Sequence, residues 1–140
     1  MSLALRQAIT ILILALVPAV AASLWHPRRP SWQSDEVTLS AATAWGGTVL
    51  WIDARPDADF AKAHIPGALA LNEDRWDDLL PAVLDHWEDH WDANRKIVVY
   101  CSSLSCQTSR DVARRLREEG NLPNVFILEG GWESWLKRKP

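Results

Sequence analysis

Three short apolar runs stand apart along the chain: TVLWI at 48–52, IVVY at 97–100 and VFIL at 125–128. Each is too short for a buried helix, and their β-branched and aromatic content suits strands covered on both faces. Between them lie stretches of helical period. Residues 41–45 follow Ser40 as a cap and stop at Gly46 and Gly47. Residues 57–63 open behind Pro56. Residues 73–94 carry Trp76, Leu79, Leu80, Val83, Leu84, Trp87 and Trp91 on one face, and Pro81 is expected to divide them into two helices. Residues 107–119 end at Gly120, and a terminal helix carries Trp132, Trp135 and Leu136. Residues 37–39 read as a short extended piece and 68–71 as a brief strand. Strands alternating with helices predict an α/β domain, with a mostly parallel sheet of about five strands and helices on both faces.

Composition narrows the class. With 140 residues there is room for one domain and its core, and the charge of −3 offers no basic footprint for nucleic acid. Two cysteines do not make a disulfide scaffold. The hydrophobic content is uneven. Residues 1–25 hold 19 hydrophobic residues, and 7–25 carry no charge, with Arg6 before them and His26, Arg28 and Arg29 after. At about 1.5 Å per residue this run just spans a bilayer as an apolar helix. It also has the layout of a signal peptide, with Pro18 and an Ala19-Val20-Ala21 cleavage pattern. The expected organisation is a membrane anchor or signal at 1–25, a proline-bearing linker at 26–36 and the domain at 37–140. The domain is expected on the outer, periplasmic side of the cytoplasmic membrane.

The chemistry is expected where a strand meets a helix. In open α/β sheets ligands bind at the carboxyl ends of the strands. Cys101 is the first residue after IVVY, and the loop Ser102-Ser103-Leu104-Ser105-Cys106-Gln107 leads into the next helix. Backbone N–H groups and the helix dipole there favour an anion and hold a thiol as the reactive thiolate. Cys101 is therefore the candidate nucleophile.

The chain resembles the rhodanese-like domain family over about residues 37–137. Three motifs carry the resemblance. The first is Val49-Leu50-Trp51-Ile52-Asp53-Ala54-Arg55, followed by Asp59-Phe60 and Ala63-His64-Ile65-Pro66-Gly67-Ala68. The second is Ile97-Val98-Val99-Tyr100-Cys101. The third is Val125-Phe126-Ile127-Leu128-Glu129-Gly130-Gly131-Trp132, with Trp135. The resemblance implies a three-layer fold and sulfur transfer. Cys101 would take sulfane sulfur from thiosulfate or a persulfide, become a persulfide, and pass the sulfur to a thiol or other nucleophilic acceptor. It implies no metal and no organic cofactor.

The loop departs from the family pattern. Many members carry arginine or lysine just after the cysteine and arginine near the loop's end, where this chain has Ser102 and Cys106-Gln107. That weakens the expectation for thiosulfate. Gln107 also replaces the arginine that the related phosphatases use to grip phosphate. Arg110, one turn on, is a candidate to compensate. Cys106 lies in the same loop as Cys101 and is either a resolving thiol or a packing residue. A thiol–disulfide redox module using Cys101 and Cys106, or a non-catalytic binding domain, are therefore the alternatives. Asp53 and Arg55 are expected as a buried polar pair supporting the site, and His64 as a loop hydrogen-bonding residue. His86 and His90 have metal-ligand spacing but lack an accompanying motif, so a solvated face is expected.

Overall fold

The computed structural model describes residues 5–7, 35–90, 92, 94–102 and 107–138. Most of the predicted membrane or signal segment and most of the linker lie outside the described residues, as do Trp91 and the loop residues Ser103, Leu104, Ser105 and Cys106. Among the described residues no helix is long and apolar enough to cross a membrane.

The domain contains five strands, β1 (Glu36–Val37), β2 (Val49–Asp53), β3 (Leu69–Ala70), β4 (Lys96–Tyr100) and β5 (Val125–Leu128). The helices are α1 (Leu39–Ala44), α2 (Asp57–Lys62), α3 (Trp76–Asp89), α4 (Gln107–Glu118) and α5 (Gly131–Leu136). A 3₁₀ turn at Gly46–Thr48 leads into β2. The sheet order is β1-β5-β4-β2-β3 and every pairing is parallel. The expectation of a mostly parallel sheet sharpens to a wholly parallel one, because every connection between paired strands is a crossover that holds a helix.

Alternation along the strands sorts side chains into two cores. Leu50, Ile52, Ile97 and Val99 face Val83 and Trp87 of α3 and Val112 and Leu116 of α4. Val98 and Tyr100 face the other way, toward Ala42, Ile65 and Leu128, with Trp45, Phe60, Trp132 and Trp135 packed around them. Most of the nine tryptophans are thus accounted for by packing on one face or the other.

Three local expectations are corrected. The α1 cap is Thr38, whose hydroxyl accepts from Ala41 N–H at 3.3 Å; Ser40 lies inside the helix. The helical stretch after β3 begins at Trp76, three residues later than expected, because residues 72–75 form a braced loop. Pro81 does not divide α3. A proline inside a helix costs about 3 kcal/mol, but Trp76, Val83 and Trp87 are buried on one continuous face across it. Pro81 and Asp77, the residue whose carbonyl loses its N–H partner, are both exposed, so the loss falls on the solvent side of the helix.

Candidate active site

Parallel pairing aligns the carboxyl ends of β2, β3 and β4 along one edge. Asp53 stands beside Tyr100 in the β2–β4 register and beside Ala70 in the β2–β3 register. The ladder continues past the strand ends, with Ala54 N–H donating to Tyr100 O at 2.8 Å and Leu71 N–H to Asp53 O at 2.9 Å. Three loops therefore emerge side by side. Ala54, Arg55 and Pro56 come from the first and Asn72, Glu73 and Asp74 from the second. Cys101 and Ser102 come from the third, and with Thr108 of α4 they line a cavity of about 260 Å³.

Cys101 continues the 97–99–101 alternation, so its side chain points to the α4 side of the sheet and is 2% exposed. The buried Ser109 hydroxyl lies 3.5 Å from Cys101 Sγ. Cys101 is disulfide-bonded, and Cys106, the chain's other cysteine, lies outside the described residues. The backbone of Cys101 is held by the amino end of α5. Trp132 N–H donates to Cys101 O at 2.7 Å and Glu133 N–H to Ser102 O at 3.4 Å. That approach depends on the turn before it. Gly130 and Gly131 have φ of 75° and 52°, in the left-handed region that glycine enters without a Cβ clash.

Asp53 and Arg55 form a buried ion pair at 2.6 Å, with exposures of 0% and 5%. Arg55 Nε also donates to Asp53 Oδ1 at 2.9 Å, and Arg55 Nη2 to Ala63 O at 2.7 Å. The guanidinium lies over the Trp132 ring, 4.4 Å from its centroid. Burial alone would lower the Arg55 pKa, but the hydrogen bond and charge of Asp53 outweigh it and leave the group more firmly protonated than usual. Arg55 thus ties the β2 loop to Trp132, and Trp132 to Cys101. Tyr100 fixes the intervening loop from below: its hydroxyl accepts from Ile65 N–H at 3.1 Å, and burial pushes its pKa up.

The second loop is braced separately. Asn72 Nδ2 and Arg75 Nη1 both donate to Asp57, each at 2.7 Å, and Asn72 Oδ1 accepts from Arg75 N–H at 3.0 Å. The hydrogen bond from Arg75, then that from Asn72, holds the Asp57 carboxyl below its usual range.

Of the expected site residues, the structure brings Cys101, Ser102 and Arg55 to the cavity, with Asp53 behind Arg55. Gln107 is exposed at the start of α4, 3.5 Å from Asp111 Oδ1, and does not line the cavity. Arg110 pairs with Glu36 of β1 rather than reaching the cavity. His64 stacks on Phe60 and its Nδ1 lies 2.9 Å from Phe60 O, outside the cavity lining. His86 is half-buried rather than wholly solvated. It stacks on His90 with centroids 4.4 Å apart, and its Nε2 is 3.1 Å from Arg95 Nη2. Among the described residues no cluster has the makings of a metal site.

Sequence reasoning passed over Ser109, Asn72, Glu73 and Asp74. A signal existed for Ser109, which lies three residues before Val112 and seven before Leu116, on the inward face of α4. Asn72, Glu73 and Asp74 follow β3 directly, which is where a parallel sheet places its ligand loops.

The Rhodanese-like domain family matches residues 38–138. Solved structures share the fold. A protein from Bacillus halodurans is similar with a TM-score of 0.56 and 20% identity, over 73% of this chain and 71% of that one. A rhodanese-like domain protein from Staphylococcus aureus gives a TM-score of 0.51 and 22% identity, over 71% of this chain and 89% of that one. A thiosulfate sulfurtransferase from Pseudomonas aeruginosa gives 0.54 and 26%, over 79% of this chain but 19% of that longer one.

Proposed function

The chain belongs to the rhodanese-like domain family, and from its site we propose that it carries sulfane sulfur on Cys101. The observation that carries this reading is the position of Cys101 at the end of β4, lining a cavity beside the Ser109 hydroxyl. The Cys101 thiolate attacks the outer sulfur of a donor, either thiosulfate or a persulfide R–S–SH. The donor's S–S bond breaks, and sulfite or R–S⁻ leaves with the bonding pair. Cys101 then holds a persulfide. An acceptor thiolate attacks its outer sulfur and releases the Cys101 thiolate, so the cycle closes without net oxidation. Ser109 contributes a hydroxyl donor to the sulfur anion, and the α5 N–H groups hold the Cys101 and Ser102 carbonyls turned toward α5.

The test is reduction of the full chain, incubation with thiosulfate or a small persulfide, and intact-mass measurement. The wild type gains one sulfur atom and Cys101→Ser gains none. No gain in the wild type, or an equal gain in the variant, overturns the reading.

A second reading is favoured by the disulfide at Cys101. If Cys106 is its partner, the pair acts as a thiol–disulfide module, and Cys106 resolves a Cys101 persulfide by displacing hydrogen sulfide. The Cys106→Ser variant separates the two. Persulfide loading that survives the change supports sulfur carriage. Loss of reversible two-electron cycling without any persulfide in either form supports the redox module.

The uncharged run at 7–25 supports a domain tethered to a membrane or exported across it, with the sulfur chemistry on the outer face.

A further inference from the structure

We propose that Glu73 and Asp74 make the Cys101 cavity selective for uncharged or cationic sulfur donors, of which a small persulfide bearing an ammonium group is the type, over dianionic thiosulfate. The proposal rests on the sulfur-carrier reading and names the substrate class of that site.

Charge at the cavity is one-sided. Arg55 is the only cation among the described lining residues, and its charge is balanced by Asp53. The loop side chains from Ser102 to Gln107 bring no formal charge. Against this, Glu73 and Asp74 both line the cavity and both are exposed. The two neighbouring guanidiniums do not reverse the balance. Arg75 is 2.7 Å from Asp57 and 3.7 Å from Asp78, and Arg115 is 2.8 Å from Glu119. Arg115 also feels the charges of Asp77 and Glu73, so that its single charge serves several carboxylates. Among the described lining residues the side-chain charge that faces an incoming donor is negative.

The rim is also positioned firmly. Asn72 and Arg75, on either side of Glu73 and Asp74, are both clamped to Asp57. A dianion entering the cavity meets two carboxylates carried on a braced loop. An ammonium-bearing persulfide meets the same carboxylates as partners while its outer sulfur approaches Cys101. In that step Cys101–S⁻ bonds to the outer sulfur of R–S–SH, the S–S bond breaks, and R–S⁻ leaves with the pair and its ammonium group. Atoms and charge balance without an oxidant.

The experiment uses the full chain with Cys106→Ser, so that Cys101 is the single thiol. Two methanethiosulfonate reagents of similar size modify it, one bearing trimethylammonium and one bearing sulfonate, and each rate is divided by that of 2-mercaptoethanol. The cation is expected to react faster. Adding Glu73→Gln and Asp74→Asn is expected to lower the cation-to-anion ratio about tenfold at low ionic strength, with a smaller drop in roughly 0.5 M salt. A ratio unchanged by the two substitutions, an anion preference in the parent, or no reaction with either reagent overturns the proposal. Loading from thiosulfate and from cysteamine persulfide is followed by mass in parallel. A shifted ratio with no sulfur added from either donor leaves the cavity's charge selection standing and overturns the sulfur-carrier reading instead.

Discussion

Arg55 does more than any other side chain near the cavity to join separate parts of the chain. It neutralises Asp53, holds the Ala63 carbonyl and stacks on the ring of Trp132, whose N–H holds Cys101. Asp53 is fully buried, so removing its partner leaves an uncompensated carboxylate in the protein interior. Arg55→Ala is expected to lower stability by about 3–5 kcal/mol, read by urea denaturation. Arg55→Lys is expected to recover only part of that, because an ammonium does not reproduce the two-pronged contact. The pair itself was legible in the sequence, since both residues directly follow a buried run. The stacking on Trp132 was not, because 77 residues separate the two and only the β2–β4–β5 order brings their loops together. Arg110 shows the converse. Its sequence position, one turn beyond the cysteine loop, suggested a compensating cation, but β1 pairs with β5 and brings Glu36 within its reach.

At the scale of elements, two junctions matter, one for the site and one for stability. The first is the entry to α5. A Cβ at Gly130 would meet Ser134 Cβ at 3.1 Å, and its φ of 75° is strained for any L side chain. Gly130→Ala is expected to cost about 1–2 kcal/mol and to slow alkylation of the reduced Cys101, because the Trp132 N–H that holds the Cys101 carbonyl shifts with the helix. A stability loss with unchanged thiol reactivity would separate the two roles. The second junction is near the end of α3, where His86 meets Arg95 just before β4. Arg95 is 7% exposed. Burial, then the charges of His90 and Arg95, lowers the His86 pKa from its ordinary value. The folded state therefore binds this proton less readily than the unfolded chain. The contribution is fully present above the ordinary histidine value of about 6.5 and is lost as pH falls below it. Thermal stability is expected to drop between about pH 7 and pH 5, and His86→Gln is expected to flatten that drop. An unaltered pH profile in the variant would show that other groups are responsible.

For the whole molecule, one expectation belongs to the tract before the domain. If residues 7–25 act as an anchor, the full chain sediments with membranes and resists extraction at high salt, and deletion of 7–25 releases it; a chain found soluble in both forms would overturn that placement. The domain's own architecture was largely open to reading from the residues. The buried runs at 48–52, 97–100 and 125–128 and the helical periods between them specify a parallel sheet with two covered faces, because short β-branched runs and amphipathic stretches bury their apolar surface in few other ways. The same local chemistry placed Cys101 at a strand end, and Asp53 and Arg55 at another. What local chemistry did not contain was the lateral order of the strands. That order is decided by which crossovers pack together. It alone brings the Asn72–Asp74 loop across from Cys101, turns Ser109 toward the sulfur, joins Trp132 to both Arg55 and the Cys101 carbonyl, and draws Arg110 away to Glu36. Glu73 and Asp74, which the helical period assigned to the start of a helix, line the cavity for the same reason. Periodicity along a chain reports which face a residue takes, while the charge that faces a ligand depends on contacts between segments far apart in sequence.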